Sequence, residues 1–288
     1  MAGIAWVNGR LVSPDEPAIA ATDRGFLYGE GLFETMRAYR EKVFRQKQHL
    51  DRMIAAAPKI DLAPPSQEVL NRAISEALAA GGMSNAVVRL TLTPGQGQLG
   101  APTVVALIRP LTLPPPEQYG HGCRAASVPI AQVGAAALRR VKSLNYLDKL
   151  MAQQAARWAG ADEAILVDAD GCVVEAAMRN VFAVIGARLV TPPLSRGLLP
   201  GITREAVLEI AKRAGMASDE RDIALAELKG AEECFLTSSI AEIVPVASVD
   251  GEAMKGAAPG AITKRLTEAY RALVAEELDF DSEGKRAG

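Results

Sequence analysis

A proline-rich stretch near the middle of the chain limits the folds that the sequence can adopt. It extends from Leu113 to Gly122 and contains Pro114, Pro115 and Pro116 in succession. Because proline fixes φ and lacks a backbone N–H, this stretch cannot lie inside a helix or in a central strand. We therefore predict that it connects two domains. A chain of 288 residues is long enough for each domain to bury its own core.

Short strands and helices are mixed on both sides of this connection, which predicts the α+β class. Before it, Asn8-Gly9 is the dipeptide of a type I′ hairpin turn, and residues 32–39 alternate as a strand. Residues 23–31 are predicted to be a glycine-rich loop and residues 43–45 a short strand. Ser66 is placed to cap a helix. The side chains that alternation places on one face of the 32–39 strand are Phe33, Thr35, Arg37 and Tyr39.

The second half is predicted to begin with an amphipathic helix that has Ser143 as its N-cap. The apolar residues that recur in it at helical spacing are Leu144, Leu147, Leu150, Met151, Ala155 and Trp158. Strands and helices then alternate to the end of the chain. The predicted strands are 164–167, 172–175, 180–185, 189–191, 233–237 and 242–249, and the predicted helices are 202–214 and 259–276.

The charge distribution argues against a nucleic-acid or anionic-membrane partner. The 32 basic and 34 acidic residues are interspersed, and the net charge is −2. The most apolar runs, such as residues 103–108, are too short to span a bilayer, and the N-terminal residues lack the pattern of a signal peptide. Three widely separated cysteines indicate free thiols in a reducing compartment. We therefore predict a cytoplasmic protein with no disulfide framework and no metal site.

One stretch matches a nucleotide-binding motif letter for letter. Gly95, Gly97 and Gly100 fit G-x-G-x-x-G, which binds a pyrophosphate only when it opens a helix. Here Pro102 and a predicted strand at 103–109 follow instead. We therefore predict a loop between two strands, which disfavours a nicotinamide-dependent oxidoreductase. The sequence also contains no P-loop, H-E-x-x-H, G-x-S-x-G or C-x-x-C motif.

Several residues have both a catalytic and an ordinary interpretation. Lys142 stands between an apolar segment and a helix, where a solvated lysine is common. Arg45 suits a phosphate but equally a surface position. Glu175 follows three apolar strand residues and is either a buried carboxylate or an edge-strand charge. Ile202-Thr203 at a predicted helix start is either an anion site or an ordinary helix N-terminus, and the hydroxyl-bearing loop Thr237–Ile240 is equally ambiguous.

In their order and spacing these segments resemble the class IV, or fold-type IV, pyridoxal-phosphate aminotransferases. That family includes branched-chain aminotransferases, D-amino acid aminotransferases and aminodeoxychorismate lyases. The resemblance extends from about Trp6 to Val274. The segments that carry it are Asp23-Arg24-Gly25 with Gly29-Glu30-Gly31, Phe44-Arg45 with His49-Leu50-Asp51-Arg52, Lys142-Ser143-Leu144-Asn145-Tyr146, Ala161-Asp162-Glu163-Ala164, Glu175 with Asn180-Val181-Phe182, Pro200-Gly201-Ile202-Thr203-Arg204, and Ala241-Glu242-Ile243-Val244-Pro245-Val246.

The resemblance implies a two-domain fold and a cofactor. The expected parts are a small N-terminal α/β domain over residues 1–108, a linker over 109–122 and a larger, barrel-like domain over 123–288. The family also implies pyridoxal 5′-phosphate bound between the domains and a homodimer.

The resemblance assigns a role to each candidate cofactor residue. Lys142 is the lysine that joins the cofactor through a Schiff base and later shuttles a proton. Glu175 is the carboxylate that keeps the pyridine nitrogen protonated, and Tyr146 is the partner of the ring oxygen. The residues implied to hold the phosphate are Arg45, Ile202, Thr203 and Ser239.

The implied reaction transfers an amino group between an amino acid and a 2-oxo acid. The predicted pair is an L-branched-chain amino acid and 2-oxoglutarate, whose second carboxylate needs a cation such as Arg89 or Arg37. D-amino acid transamination and the aminodeoxychorismate lyase reaction are the alternatives. The residues expected to contact substrate are Tyr28, Phe33, Arg37, Arg89, Ile240 and Ala241.

The chain departs from the family pattern at three places. Ala176-Ala177-Met178-Arg179 replaces the glycine and small residues that the family has after Glu175, and the bulk of Met178 and Arg179 is expected to reshape the wall near the cofactor. The Gly-rich loop lacks the Arg-x-His pair of D-amino acid aminotransferases and the arginines of the lyase branch. Val87 stands where a branched-chain enzyme has tyrosine.

Overall fold

A computed structural model describes residues 3–96, 101–130 and 140–280. The chain forms two compact units. The first comprises residues up to Thr112 together with Val141–Asn145, and the second comprises Leu113–Arg140 and the residues from Tyr146 onward. The predicted linker 109–122 is thus divided between the units, and Val141–Asn145 belongs to the first. Across the described parts of the chain, no helix has the length and apolarity needed to cross a membrane.

The first unit is an antiparallel six-stranded sheet with strand order β2-β1-β6-β5-β3-β4. The predicted hairpin is present, with Asn8 and Gly9 both at positive φ, as a type I′ turn requires. The elements are β1 (Ile4–Val7), β2 (Arg10–Val12), α1 (Arg24–Tyr28), β3 (Leu32–Tyr39), β4 (Lys42–Val43), α2 (Gln46–Ala56), a 3₁₀ turn (Ala57–Ile60), α3 (Gln67–Gly81), β5 (Asn85–Thr93) and β6 (Thr103–Pro110).

One face of this sheet packs on α2 and α3. Leu32 and Met36 of β3 are buried there, together with Leu50 of α2 and with Leu70 and Ile74 of α3. Because successive residues of a strand point to opposite sides, the other face of β3 carries the predicted row that begins with Phe33. The register pairs this row with β5, opposing Phe33 to Thr91, Thr35 to Arg89, and Arg37 to Val87.

A buried charged cluster lies on the helix-covered face. The Glu34 carboxylate accepts two hydrogen bonds from Arg52, at 2.7 and 2.6 Å, and lies 2.7 Å from Nδ1 of His49. Burial alone would raise the pKa of Glu34, but Arg52 and His49 outweigh it and lower this pKa from 4.5 to about 2. Burial lowers the pKa of His49 and is only partly opposed by Glu34. The cluster therefore consists of an ionised carboxylate and a histidine that resists protonation.

The second unit is built on a nine-stranded mixed sheet with order β12-β11-β10-β13-β14-β7-β8-β9, and β15 pairs with β14. The elements are α4 (Pro116–His121), β7 (Cys123–Pro129), α5 (Leu147–Trp158), β8 (Glu163–Val167), β9 (Val173–Ala176), β10 (Asn180–Ile185), β11 (Arg188–Thr191), a 3₁₀ turn (Leu194–Arg196), α6 (Ile202–Arg213), β12 (Ser218–Glu220), α7 (Leu225–Lys229), β13 (Glu233–Ser238), β14 (Glu242–Val249), β15 (Glu252–Ala253) and α8 (Ala261–Glu277).

The start predicted for α5 was wrong. Ser143 is not its N-cap, because Val141–Asn145 runs beside the beginning of β3 and Ser143 forms a β-bridge with Leu32. The backbone of this segment is hydrogen-bonded to the first unit and is unavailable for a helix. The helix therefore begins at Leu147, with Tyr146 as its N-cap.

The face predicted to be buried on α5 was also wrong. The helix packs against β7 and β8 through alanines, and its buried residues are Ala152, Gln153 and Ala156. These small side chains let the helix lie close to the sheet. Gln153 is satisfied by the carbonyl of Asp162 and the amide of Ala164. The large apolar residues point outward, so Leu147, Leu150, Met151 and Trp158 are exposed.

Smaller differences between prediction and structure concern three segments of the chain. Residues 23–31, predicted to be a loop, contain α1, whose N-cap Asp23 also accepts hydrogen bonds from the hydroxyls of Thr93 and Thr103. The predicted strand 43–45 ends at Val43, and Arg45 begins α2 in a left-handed conformation. The proline-rich stretch contains α4. Strands β5 and β6 pair up to Thr93 and Thr103, which confirms the predicted hairpin, although residues 97–100 of its G-x-G-x-x-G loop lie outside the described residues.

We predict that the Glu34 cluster makes the stability of the protein acid-sensitive. Both pKa values are lower in the folded protein, so the unfolded chain binds more protons and stability falls as the pH is lowered. The loss begins below pH 6.5 for His49 and extends from pH 4.5 towards 2 for Glu34. Glu34→Gln removes the charge that Arg52 and His49 face. It should lower the free energy of unfolding near neutral pH by about 3 kcal/mol and remove the part of its pH dependence that lies between pH 4.5 and 2, as measured by urea denaturation at several pH values.

Asp51→Asn is the matched control. Asp51 pairs with Lys47 on the exposed side of α2, the helix that carries His49 and Arg52. Exposed pairs of this type contribute about 0.3–0.5 kcal/mol. If both substitutions lower the free energy of unfolding by the same amount, the buried charges of the Glu34 cluster do not stabilise the protein more than an exposed ion pair does.

Candidate active site

The backbone of Lys142 is anchored to β3. Its carbonyl accepts the amide proton of Phe33 at 2.9 Å, and the amide of Leu144 donates to the carbonyl of Gly31 at 3.0 Å. Asn145 adds a side-chain hydrogen bond to the carbonyl of Gly29 at 3.1 Å. The predicted reactive lysine is therefore held at the start of a sheet strand, not at the start of a helix.

Two predicted site residues meet Lys142 on the ring of Phe33. The Lys142 ammonium lies 4.6 Å from the centroid of this ring, and the Arg89 guanidinium carbon lies 3.9 Å from it. Both are cation–π contacts. Arg37 lies four residues after Phe33 on the same face of β3, with its guanidinium 4.3 Å from the ring of Tyr39. The structure thus brings together Phe33, Arg89 and Lys142 within the first unit.

The two other predicted residues of this unit have different surroundings. Arg45 is buried, has φ of 51° at the N-cap of α2, and lies over the ring of Phe44. Tyr28 is on α1, not in a loop, and is 63% exposed with Arg24 over its ring. The single chain therefore does not bury Tyr28 in a pocket wall.

In the second unit Glu175 is buried on β9 and both of its oxygens are engaged. Oε1 accepts a hydrogen bond from Lys149 Nζ at 2.7 Å, and Oε2 accepts the amide proton of Leu199 at 3.2 Å. The Lys149 ammonium also lies 5.6 Å from the ring of Tyr146. Glu175 is therefore a buried, charge-paired carboxylate, although β9 is the edge strand of its sheet.

Asn180 links this carboxylate to the start of α6. Its side-chain amide donates to the carbonyl of Leu199 at 3.0 Å, and its Oδ1 lies where a Cβ on Gly201 would be. Gly201 is the N-cap of α6, whose first two residues, Ile202 and Thr203, are buried. The first amides of a helix have no partner within the helix. The predicted anion site is therefore held next to Glu175.

The hydroxyl loop lies beside Asn180. The backbone of Asn180 pairs with Thr237, whose buried hydroxyl has no hydrogen-bond partner in the described chain. Ser239 and Ile240 follow in the turn between β13 and β14. Ala241 closes this turn. Its amide donates to the Ser238 hydroxyl at 3.2 Å, and its carbonyl accepts from the Tyr119 hydroxyl at 3.1 Å.

The two bulky residues after Glu175 point to different surroundings. Arg179 forms an ion pair with the buried Glu163 at 3.3 Å, whereas Met178 is 42% exposed. Burial raises the pKa of Glu163 despite Arg179, and burial raises that of nearby Cys123 to about 12. The bulk of Arg179 is thus directed to Glu163.

The chemistry of these residues suits pyridoxal phosphate. The second unit offers helix amides and an unsatisfied hydroxyl for a phosphate, and it offers a carboxylate for a protonated ring nitrogen. The first unit offers the amine of Lys142 for an aldehyde and the buried guanidinium of Arg45 for an anion.

Two residues of this arrangement were not found from the sequence. Lys149 was treated as part of an amphipathic helix, although its spacing to Ala152, Gln153 and Ala156 places it on the buried stripe. Asn180 enters the sequence-based prediction only as part of the Asn180-Val181-Phe182 segment. Its polar side chain at the mouth of an apolar strand was the available signal.

Comparison with known proteins is consistent with this arrangement. The family model described as amino-transferase class IV matches residues 31–249. A putative branched-chain-amino-acid aminotransferase of Methanocaldococcus jannaschii is 36% identical over 92% of this chain and 94% of its own length. A D-alanine aminotransferase of Bacillus licheniformis is 32% identical over 94% and 96%.

The fold is shared with solved structures of this family. The branched-chain aminotransferase of Thermoproteus uzoniensis, solved with norvaline, superimposes with a TM-score of 0.86 at 32% identity, over 98% of this chain and 96% of that one. The α+β prediction is confirmed. The protein belongs to the class IV aminotransferases and is a pyridoxal-phosphate-dependent transaminase of fold type IV.

Proposed function

We propose that the enzyme transfers the amino group of an L-branched-chain amino acid to 2-oxoglutarate. The observation that carries this proposal is the ring of Phe33, which has Arg89 and Lys142 over it. An amino acid that reacts near Lys142 meets an aromatic surface, and a second carboxylate on the other substrate finds a guanidinium on the same ring.

The balance of apolar and charged groups supports this pair. Burying a leucine-sized side chain against an apolar wall contributes about 1.5–3 kcal/mol. Arg89 has the planar fork that binds a carboxylate through two hydrogen bonds. Arg37 is the other candidate cation for this carboxylate. The relatives named as branched-chain enzymes also support the proposal.

The proposed roles of the other residues follow their surroundings. Lys142 holds the cofactor covalently and moves the substrate proton with its amine. Glu175 accepts a hydrogen bond from the protonated ring nitrogen, and Tyr146 contacts the ring oxygen. When bound, pyridoxal phosphate supplies a ring that accepts electrons from the bond broken at the substrate α-carbon. The residues proposed to hold its phosphate are Arg45, Ile202, Thr203 and Ser239, while Ile240 and Ala241 are proposed to contact the substrate.

D-Alanine transamination is the second candidate, since a D-alanine aminotransferase is 32% identical over 94% of the chain. The missing Arg-x-His pair in the Gly-rich loop argues against it. Val87, which pairs with Arg37 and stands where a branched-chain enzyme has tyrosine, is an argument against the branched-chain reaction. The lyase reaction is the third candidate because Arg37 also suits that branch.

Lys142→Ala should abolish covalent attachment of the cofactor and lower kcat by at least about 10³-fold, because the proton shuttle is lost. Borohydride reduction and peptide mapping of the unmodified enzyme should place the label on Lys142. Lys47→Ala, an exposed lysine of the same unit, is the control and should change neither result. A label on any other lysine contradicts the assignment.

A panel of amino donors with 2-oxoglutarate as acceptor tests the substrate proposal. L-Leucine and L-valine should give a higher kcat/KM than D-alanine. Arg89→Ala should raise KM for 2-oxoglutarate and glutamate about 10- to 100-fold through the lost charge-assisted hydrogen bonds, while L-leucine is affected little.

Arg109→Ala is the matched control for Arg89→Ala, because Arg109 is exposed on the neighbouring strand opposite Val87. It should leave all KM values unchanged. A panel in which D-alanine reacts faster than L-leucine, or in which only aminodeoxychorismate reacts, overturns the branched-chain proposal.

We also propose that two copies of the chain associate in the cytoplasm. The exposed apolar row on α5, including Trp158 at 82% exposure, is typical of a surface covered by another chain. The free thiols of Cys123 and Cys234 are buried, which suits a reducing compartment. Light scattering should give twice the chain mass of 30.4 kDa. The mass of one chain at all concentrations would contradict the dimer.

A further inference from the structure

Lys149 forms one of the two most buried ion pairs in the described part of the second unit; the other joins Arg179 and Glu163. Its Nζ lies 2.7 Å from Oε1 of Glu175, and the two side chains are 16% and 6% exposed. The other oxygen of Glu175 accepts the amide proton of Leu199. Because one contact fixes each oxygen, the carboxylate has a defined orientation as well as a counter-charge.

The surroundings keep Lys149 charged. Burial alone would lower its pKa, but the charge of Glu175 outweighs burial and the pKa is raised, with smaller contributions from Tyr146 and Asp148. Lys149 is thus a cation beside the carboxylate at neutral pH.

We propose that Lys149 is a positioning residue for transamination, which aims the Glu175 carboxylate and holds a positive charge against it, so that the proton shared with the cofactor stays on the ring nitrogen. This inference rests on the proposed contact between Glu175 and that nitrogen. It deepens the proposed function by naming the group that sets where the proton resides.

The physical reason is the competition between two sites for one proton. A carboxylate in a buried position tends to take up a proton, because burial disfavours its charged form. A cation 2.7 Å away stabilises the carboxylate over the carboxylic acid, and the proton then remains on nitrogen. Without Lys149 the proton moves towards oxygen, and the ring becomes a weaker electron acceptor.

The burial of this pair also separates it from ordinary surface pairs. Lys229 bridges Asp250 and Glu252 in the same unit, and Glu252 is 65% exposed. Such pairs contribute little. A buried pair has a desolvation cost that close contact only partly repays, so a pair at this position is better explained by its effect on Glu175 than by stability.

The experiment uses the enzyme loaded with pyridoxal phosphate labelled with ¹⁵N in its ring. The ¹⁵N chemical shift distinguishes a protonated from a neutral pyridine nitrogen. It is measured at one pH for the unmodified enzyme, Lys149→Met, Lys149→Gln, Lys149→Arg, Glu175→Gln and the control Lys229→Met. The values of kcat and KM are measured for the same set.

Glu175→Gln should move the shift towards neutral pyridine. Lys149→Met and Lys149→Gln should move it in the same direction and lower kcat by roughly 10-fold or more, the effect of a pKa change of one unit, with KM unchanged within about 2-fold. Lys149→Arg should restore both values, because it restores the cation. Lys229→Met should change nothing.

The possible failures are distinguishable. If Glu175→Gln moves the ¹⁵N shift and neither neutral Lys149 variant does, the inference is wrong and the proposed function stands. If Glu175→Gln leaves the shift unchanged, the proposed role of Glu175 is wrong and the inference falls with it. If the neutral variants do not retain cofactor, the ¹³C carboxyl shift of Glu175 is measured without cofactor. Movement towards a carboxylic acid supports the inference, and no movement overturns it.

Discussion

Two hydrogen bonds to the backbone of Leu199 hold together the candidate site residues of the second unit. Glu175 accepts the amide proton of Leu199, and Asn180 donates to its carbonyl. Two residues later Gly201 begins α6, so the residue proposed to face the cofactor ring and the helix proposed to hold its phosphate share one anchor. A shift of Leu199 would displace both. This explains why Gly201 lies against Asn180 with no room for a Cβ: the loop must approach the strand closely to make both bonds.

A backbone tether plays the corresponding part in the first unit. The hydrogen bonds of Lys142 and Leu144 to Phe33 and Gly31 add a short extended segment to the edge of β3. The lysine side chain thereby reaches the sheet face that carries Phe33 and Arg89, opposite the helix-covered core. The face with the proposed reactive groups is thus structurally distinct from the face that carries the buried cluster of Glu34, His49 and Arg52.

The sequence predicted the elements whose signals are local. The β3 alternation and the Ser66 cap were correct, because strand period and capping depend on neighbouring residues. The segment after Lys142 was mispredicted because Ser143 is a good N-cap by type but pairs with Leu32, far away in sequence. The buried stripe of α5 was missed because it consists of alanines, glutamine and lysine, and hydrophobic periodicity favours larger side chains. The contact of Lys149 with Glu175 depends on that stripe, so it could not be predicted either.

The alanines beneath α5 have a consequence for how this enzyme can change. Ala152 and Ala156 face Ala126, Ala164 and Ala177, and their methyl groups set the distance between the helix and the sheet. Lys149 reaches Glu175 from that same helix. A larger residue at any of these five positions would act as a wedge that lengthens the ion pair without touching it. If Lys149 has the proposed role, these alanines act as spacers for it although they carry no reactive group. Enlarging one of them would then require a compensating loss of volume opposite.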